Sequence, residues 1–231
     1  KIGREDQDNP EKLQSFSSPE NLDGALELAP LAGAYGTYLD LEGTAKNEAE
    51  VITRYREMVL YPECEYAVDD VVNEAIVTHE EKNPVSINLD SIVQSQSIKS
   101  KIQSEFNTVL EQLDFQNQGY EIFRRWYVDG RLYYHKIIDV DNPQKGIQEL
   151  RYVDPRKIRK VKQNKKTRQT TGNGQAVILN APGTDFFIYN EAGLDKKGGA
   201  QHTKIAKDSV CHVHSGLLDA RKSMVISHLH K

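Results

Sequence analysis

Along the first half of the chain, apolar residues recur every three or four positions, which is the spacing of one buried face of an α-helix. The pattern predicts a first helix that begins near Thr44 and includes residues 51–59, and a second helix that follows Pro62 and includes residues 68–76. A longer helix is predicted over residues 98–113. Gly119 is predicted to break or end this helix, because glycine disfavours a helix interior.

A second, two-residue period marks the strands. Val85, Ile87 and Leu89 alternate with polar residues, which predicts a short strand over residues 85–89. After a short helix over residues 120–126, Asp129-Gly130 is typical of a tight hairpin turn. Further strands are predicted, with a turn at Asp154-Pro155 between the second and third of them, over residues 132–138, 146–153, 186–189 and 205–214.

The order of these elements favours an α+β fold, with helices first and a mostly antiparallel sheet afterwards. Residues 1–44 lack a helical or strand period and are rich in polar residues, so they are interpreted as an acidic arm that is disordered or docked elsewhere. Residues 45–231 are interpreted as one α+β domain. Within it, Gly- and Lys-rich composition predicts loops over residues 164–183 and 190–203. A final amphipathic stretch is predicted to start a helix.

Composition excludes several classes of protein. Hydrophobic residues make up 38% and charged residues 28% of the chain, as in globular proteins. No run approaches the roughly 18 apolar residues that a membrane span needs. The two cysteines, Cys64 and Cys211, are too few for a disulfide framework or a zinc ribbon. The glycine motifs that bind nucleotides and the nucleophile elbow of hydrolases are absent, so no catalytic residue and no cofactor is predicted.

Charge is distributed unevenly along the chain. Residues 1–90 carry 20 acidic and 7 basic side chains, a net charge of −13, whereas residues 91–231 carry 14 acidic and 23 basic side chains, a net charge of +9. Eight basic residues form a dense run and are candidate phosphate or partner contacts: Arg156, Lys157, Arg159, Lys160, Lys162, Lys165, Lys166 and Arg168. No aromatic residue interrupts this run to stack on bases, so a solvated hairpin rim remains the alternative interpretation.

Two other groups invite a functional interpretation. Arg124, Arg125 and Trp126 are candidate subunit-interface residues, since arginine and tryptophan are enriched at protein interfaces. Two His-x-His pairs, at residues 212–214 and 228–230, have a spacing that suits metal ligation on a strand. The second pair lies in the predicted last helix, where residues two apart diverge, and no acidic cluster completes a ligand set. No metal site is predicted.

Several long motifs resemble one known family. They are YREMVLYPECEYAVDDVVNEAIV from Tyr55, INLD from Ile87, FRRWYVDGRLYYHKIID from Phe123, the strand and turn from Gly146 to Arg156, and the terminal HVHSGLLD and HLHK. Together they resemble portal proteins of T-even-type contractile-tailed bacteriophages. The resemblance spans residues 45–231 except the two predicted loops, and its central motif from Phe123 is the most specific.

The resemblance implies a ring at one vertex of the phage head, dodecameric in this family, that starts head assembly and passes double-stranded DNA. It implies the major capsid protein, the packaging ATPase (terminase) and neck and tail connector proteins as partners, a location in the virion, and assembly in the host cytoplasm. This chain would supply the N-terminal, wing-type part of a longer polypeptide, with the stem, clip and crown outside it. The family supplies no catalytic residue to carry over.

Two alternatives remain open from the sequence. The basic run 156–168 favours a stand-alone nucleic-acid-binding module, and His212 with His214 favours a metal-dependent nuclease. In a ring, by contrast, each subunit contacts its neighbour through two different surfaces that must complement each other. The acidic first part and the basic remainder are expected to contribute to that complementarity.

Overall fold

In a computed structural model, residues 20–28, 41–77, 84–170, 176–194 and 202–230 are described. These ranges contain four α-helices and seven β-strands, with antiparallel pairing dominant, so the predicted α+β class is confirmed. In chain order the elements are β1 (Leu26–Leu28), α1 (Leu41–Met58), α2 (Pro62–Ala75), α3 (Gln96–Gln112), α4 (Phe115–Asp129), β2 (Arg131–Ile138), β3 (Ile147–Val153), β4 (Ile158–Thr170), β5 (Ala176–Tyr189), β6 (Thr203–Ala206) and β7 (Val210–His214).

The chain divides into two compact units. Unit 1 comprises residues 1–52, 154–210 and 216–226, and unit 2 comprises residues 53–153, 211–215 and 227–231. Each unit therefore collects distant parts of the sequence around its own sheet. None of the helices in the described ranges has the length and apolar character to cross a bilayer.

In unit 1, a four-stranded sheet has the order β1-β4-β5-β6. β1 pairs in parallel with β4, with Leu26 beside Val161, while the other pairs are antiparallel. The core of this unit lies on that sheet, where Val161, Phe186, Ile188 and Leu194 pack together and Leu26 packs against them. Within the predicted acidic arm, residues 26–28 are docked as a strand of this sheet, which is the second of the two alternatives that the sequence left open.

The predicted loop over residues 164–183 is also wrong for most of its length. β4 continues to Thr170 and β5 begins at Ala176, so the segment is a long hairpin whose turn, residues 171–175, lies outside the described residues. Its polar composition suggested a loop, but two paired strands satisfy their backbone hydrogen bonds whatever their side chains are. In the second predicted loop, residues 190–194 are irregular as expected, and residues 195–201 lie outside the described part.

Unit 2 holds helices α2 to α4 and a three-stranded sheet with the order β3-β2-β7. The predicted single strand over residues 205–214 is wrong, because a 3₁₀ turn at Lys207–Ser209 separates β6 from β7, and these two strands join different sheets. The predicted strand over residues 85–89 is wrong as well: these residues form no ladder and precede α3 as irregular chain.

Helix boundaries follow local chemistry. Pro62 occupies the first turn of α2, where its missing N–H costs nothing, so it starts the helix that it was predicted to precede. Val68 and Val72, one turn apart, form the buried side of α2. α1 begins at Leu41, ahead of the Thr44 cap that the sequence predicted.

The break between α3 and α4 lies at Asp114, which adopts a left-handed conformation with φ of 46°. The prediction that Gly119 ends the helix is wrong: Gly119 is buried inside α4. A Cβ atom at this position would lie 3.1 Å from the Phe115 ring, so glycine is kept here by close packing. Packing decides this position, and the low helix propensity of glycine does not.

Gly130 ends α4 in the left-handed region, with φ of 74°, and its N–H donates to the Trp126 carbonyl at 2.8 Å. The predicted Asp129-Gly130 hairpin is wrong, because the same positive φ serves a helix C-cap as well as a turn. At the other end of the unit, His230 N–H donates to the Ser227 carbonyl in a turn, so the predicted last helix is not formed over residues 227–230.

Candidate functional site

The basic run 156–168 begins after the turn at Asp154-Pro155 and continues along β4. Four of its members contact carboxylates within unit 1, namely Arg156, Lys157, Arg159 and Lys160. The Arg156 guanidinium contacts Asp154 at 2.9 Å, and the Lys157 ammonium contacts Glu191 at 3.0 Å. The Glu191 pKa is lowered by the hydrogen bond from the Tyr189 hydroxyl and by Lys157. Each of these pairs satisfies a positive charge that the sequence alone leaves available for phosphate.

Arg159 is the most enclosed member of the run. Its side chain is only 2% exposed, and its guanidinium lies 2.7 Å from the Glu48 carboxylate and donates to the Ser223 carbonyl at 3.1 Å. A buried guanidinium held by a buried carboxylate is a structural ion pair, since separating the two would leave an unpaired charge in a low-dielectric interior. Arg159 therefore holds α1 and β4 together within unit 1.

The remaining members divide into two groups. Lys160 contacts Asp23 and, at 3.6 Å, Asp185, which ties the chain before β1 to the sheet. Lys162 is partly exposed. Lys165, Lys166 and Arg168 lie on the far half of β4, and their side chains are outside the described part of the structure. A phosphate or partner contact through the run remains a prediction.

The second predicted cluster, Arg124, Arg125 and Trp126, lies on α4 in unit 2. Arg124 contacts Asp69 of α2 at 3.4 Å, and the Tyr120 hydroxyl donates to the same carboxylate at 2.9 Å. Arg125 contacts Glu121 one turn earlier. Its guanidinium also lies 4.8 Å above the Tyr152 ring, a cation–π distance. Arg124 thus links α4 to α2, and Arg125 links α4 to β3. A role for this cluster at a subunit interface remains a prediction.

Trp126 belongs to an aromatic cluster with Phe123, Tyr127 and His228. The Phe123 and Trp126 ring centroids are 5.4 Å apart, and the His228 ring stacks on Tyr127 at 5.0 Å and 8°. The Ser227 hydroxyl donates to the Tyr127 carbonyl, which holds the segment that carries His228 against α4. No pattern in the sequence indicated that His228 would join this cluster.

The other histidines of the two His-x-His pairs also contact neighbouring side chains. His230 Nδ1 is 2.7 Å from the Tyr55 hydroxyl, and the His212 ring stacks on Tyr133 at 4.5 Å. His212 and His214 are neighbours, with ring centroids 5.3 Å apart. Among the described residues, no group of three metal-ligating side chains converges. Cys211 beside them is exposed on the edge of the sheet.

Sequence reasoning missed the buried ion pair between Arg56 of α1 and Asp129 at the end of α4. Arg56 Nε and Nη2 donate to the two oxygens of Asp129 at 2.9 and 2.7 Å, and the Asp129 side chain is 2% exposed. This fork geometry is the strongest form of a carboxylate–arginine contact. An Asp-Gly pair is typical of an exposed turn, so the sequence does not point to Asp129 as a buried partner of an arginine.

Ionisation in unit 2 is shifted by burial. Desolvation raises the pKa of Tyr134 on β2, outweighing the opposing effect of Arg125, and desolvation likewise raises the pKa of Tyr55. Both shifts favour the neutral phenol. Across both units, the described contacts consist of structural ion pairs, stacked rings and strand ladders, and they define a structural scaffold.

Comparison with known proteins agrees with this class. A family model described as Bacteriophage T4-like portal protein (Gp20) matches residues 48–231. The portal protein of Vibrio phage KVP40 is 36% identical over 220 residues, which cover 89% of this chain and 41% of that protein. The portal protein of Salmonella phage ViI is 37% identical over 140 residues, which cover 60% of this chain and 25% of that protein.

The family match covers well over half of the chain. The chain therefore belongs to the family of T4-like bacteriophage portal proteins. It spans less than half the length of the two curated relatives, so the activity of a whole portal is attributed to it below as a proposal.

Proposed function

We propose that this chain is part of the subunit of a ring-shaped portal at the head vertex of a tailed bacteriophage. The observation that carries the proposal is the family match over residues 48–231, supported by identity above one third to two phage portal proteins. The scaffold character of both units agrees with it, because a ring subunit needs rigid surfaces on which neighbours can assemble.

The proposed ring is a dodecamer that forms the passage for double-stranded DNA during packaging and ejection. It nucleates head assembly and binds the major capsid protein, the packaging ATPase and the neck and tail connectors. The two units described above would supply the wing-type part of each subunit. The ring would assemble in the host cytoplasm and remain in the virion, and this chain would contribute no catalytic step.

The engaged charges of the basic run support this function over a stand-alone nucleic-acid-binding module. A module of that kind needs several cations free to neutralise phosphates. In unit 1, Arg159 is buried against Glu48, and Arg156, Lys157 and Lys160 each lie against a carboxylate. A passage that lets DNA slide also requires weak contacts with phosphate.

Electron microscopy of the full-length parent protein tests the proposal. Purified protein is expected to form ring-shaped particles with a central hole, and class averages are expected to show twelve-fold symmetry. A parent protein that stays monomeric at micromolar concentration in the presence of head assembly partners would refute the portal assignment. A monomer that binds duplex DNA with a steep salt dependence would favour the nucleic-acid-binding module in its place.

A further inference from the structure

Helix α2 carries an exposed face without partners in the described part of the chain. Glu63, Tyr66, Asp70 and Glu74 are spaced by three and four residues, so they share one side of the helix, opposite the buried Val68 and Val72. All four are exposed, Tyr66 to 71%. These four residues are called the acidic–aromatic face.

The charge on this helix is entirely negative. α2 contains five acidic residues and no basic residue, and Glu74 lies in its last turn, where the helix dipole repels negative charge. Leu60 and Tyr61, just before the helix, are 78% and 65% exposed. An acidic surface beside large exposed apolar side chains is suited to a basic partner that also carries apolar residues.

Unit 1 contains an element with those properties. Beyond a register shift at Gln163/Lys165, β4 and β5 continue as six paired residues, Lys165–Thr170 with Ala176–Ala181. Among the described strands, β1 pairs with β4 only up to Gln163, and β6 pairs with β5 only from Phe186. The six pairs therefore form a two-stranded ribbon roughly 20 Å long, here called the β4–β5 arm.

The composition of the β4–β5 arm complements the α2 face. The arm carries Lys165, Lys166 and Arg168 and no acidic residue, and its second strand contains the apolar run 177–179. A two-stranded ribbon is marginally stable in water unless another surface packs against it. Each subunit thus presents one basic, apolar-bearing element and one acidic, apolar-bearing face, the two unlike surfaces that a head-to-tail ring requires.

We propose that the β4–β5 arm of one subunit binds the acidic–aromatic face of α2 on the neighbouring copy of this chain. The inference rests on the proposed portal function and names the surfaces that join its subunits. Charge complementarity sets the register of the contact, and the apolar residues on both sides provide burial.

Charge reversal in the full-length parent tests this contact. One variant carries Glu63→Lys, Asp70→Lys and Glu74→Lys, and a second carries Lys165→Glu, Lys166→Glu and Arg168→Glu. Each is expected to reduce the fraction of protein in rings by about tenfold or more at a subunit concentration where the wild type assembles, because like charges then face each other. Sedimentation velocity and electron microscopy measure that fraction, and circular dichroism reports folding.

Two further samples separate a broken contact from a damaged subunit. A chain that carries both sets of reversals has opposite charges facing again and is expected to form rings. An equimolar mixture of the two defective variants is also expected to form rings in which the variants alternate. In such a ring, the basic arm of one variant meets the acidic face of the other, and the acidic arm meets the basic face. A matched control, Glu105→Lys, Glu111→Lys and Asp141→Lys, reverses three exposed charges outside the α2 face and is expected to assemble like the wild type.

The outcomes separate this inference from the function on which it rests. Wild-type rings together with intact rings of either reversed variant would overturn the interface and leave the portal assignment standing. Failure of both the double-set chain and the mixture to assemble would overturn it too. Reversal of the arm that lowers affinity for DNA but leaves rings intact would reassign the arm to nucleic acid. A wild-type parent without rings would refute the portal assignment itself.

Discussion

Replacing Arg56 by methionine tests whether the buried ion pair with Asp129 holds α1 to α4 in unit 2. The substitution keeps most of the apolar length of the side chain and removes both hydrogen bonds of the fork, 2.9 and 2.7 Å long. The Asp129 side chain is 2% exposed, so its carboxylate loses a cation without gaining water.

The expected cost follows from the burial of the two partners. Breaking a buried pair by removing one member costs about 3–5 kcal/mol. The Arg56 side chain is 31% exposed and part of its charge is already solvated, which places the expected loss at the lower end, about 3 kcal/mol. Arg56→Lys keeps the charge but loses the fork, so its expected cost is smaller, about 1–1.5 kcal/mol.

Urea unfolding measures the loss, with fluorescence as the signal. Trp126 is the single tryptophan of the chain and lies on α4 one turn before Asp129, so its emission reports on unit 2. For a slope of about 2 kcal/mol per molar urea, a loss of 3 kcal/mol lowers the midpoint by about 1.5 M. Arg151→Met is the matched control, since its pair with Glu149 is exposed on both sides and its loss is expected to leave the midpoint nearly unchanged.

An Arg56→Met midpoint within 0.5 M of the wild type, at an unchanged slope, would show that the fork contributes little to stability, about 1 kcal/mol or less. An equal shift for Arg151→Met would also refute the reasoning, because burial would then make no difference to the value of an ion pair.

Three further results are expected. Gly24→Ala is expected to destabilise unit 1 by about 2 kcal/mol or more in thermal unfolding, because φ is +66° and the new Cβ would lie 2.7 Å from the backbone nitrogen of Val225. Gly146 has a similar φ but open space around it, so Gly146→Ala is the control and is expected to cost about 1 kcal/mol. Glu48→Gln leaves Arg159 buried without its anion, and hydrogen exchange at β4 amides speeds up by at least about tenfold. Burial raises the pKa of Tyr134 above 10.0. The buried neutral phenol therefore contributes to the stability of unit 2 below that pH, and this contribution is lost as pH rises through the pKa of the folded state. Tyr134→Phe is expected to flatten the alkaline limb of a plot of unfolding temperature against pH.

Local patterns were sufficient for the existence of the helices and for two of the described strands, β2 and β3. The faces of α2 and α3, the short helix before Trp126 and the strands β2 and β3 follow from apolar spacing, since each is amphipathic over several turns or pairs. The errors fall where one local signal serves two structures. Asp129-Gly130 is typical of a hairpin, but the glycine caps a helix, and the polar hairpin after Gln163 has the composition of a loop.

The candidate sites show the same difference between what local patterns predict and what they miss. The sequence contains the basic run and the cluster at Trp126, and its long motifs identify the family. It gave no means of pairing Arg159 with Glu48, 111 positions earlier, or of placing His228 on Tyr127. Contacts of this kind depend on which elements become neighbours after the chain has folded, and a single sequence carries no signal for them.

The sequence by itself determined the α+β class, the charge asymmetry and the family, because these depend on composition, short-range periodicity and long motifs. Only the tertiary structure decided which charges are engaged. It buried Arg159 and Asp129 against partners from distant segments, and it left the acidic–aromatic face of α2 exposed. The physical reason is that burial and pairing are properties of three-dimensional neighbours, and the same lysine or glutamate is structural or available according to what lies beside it.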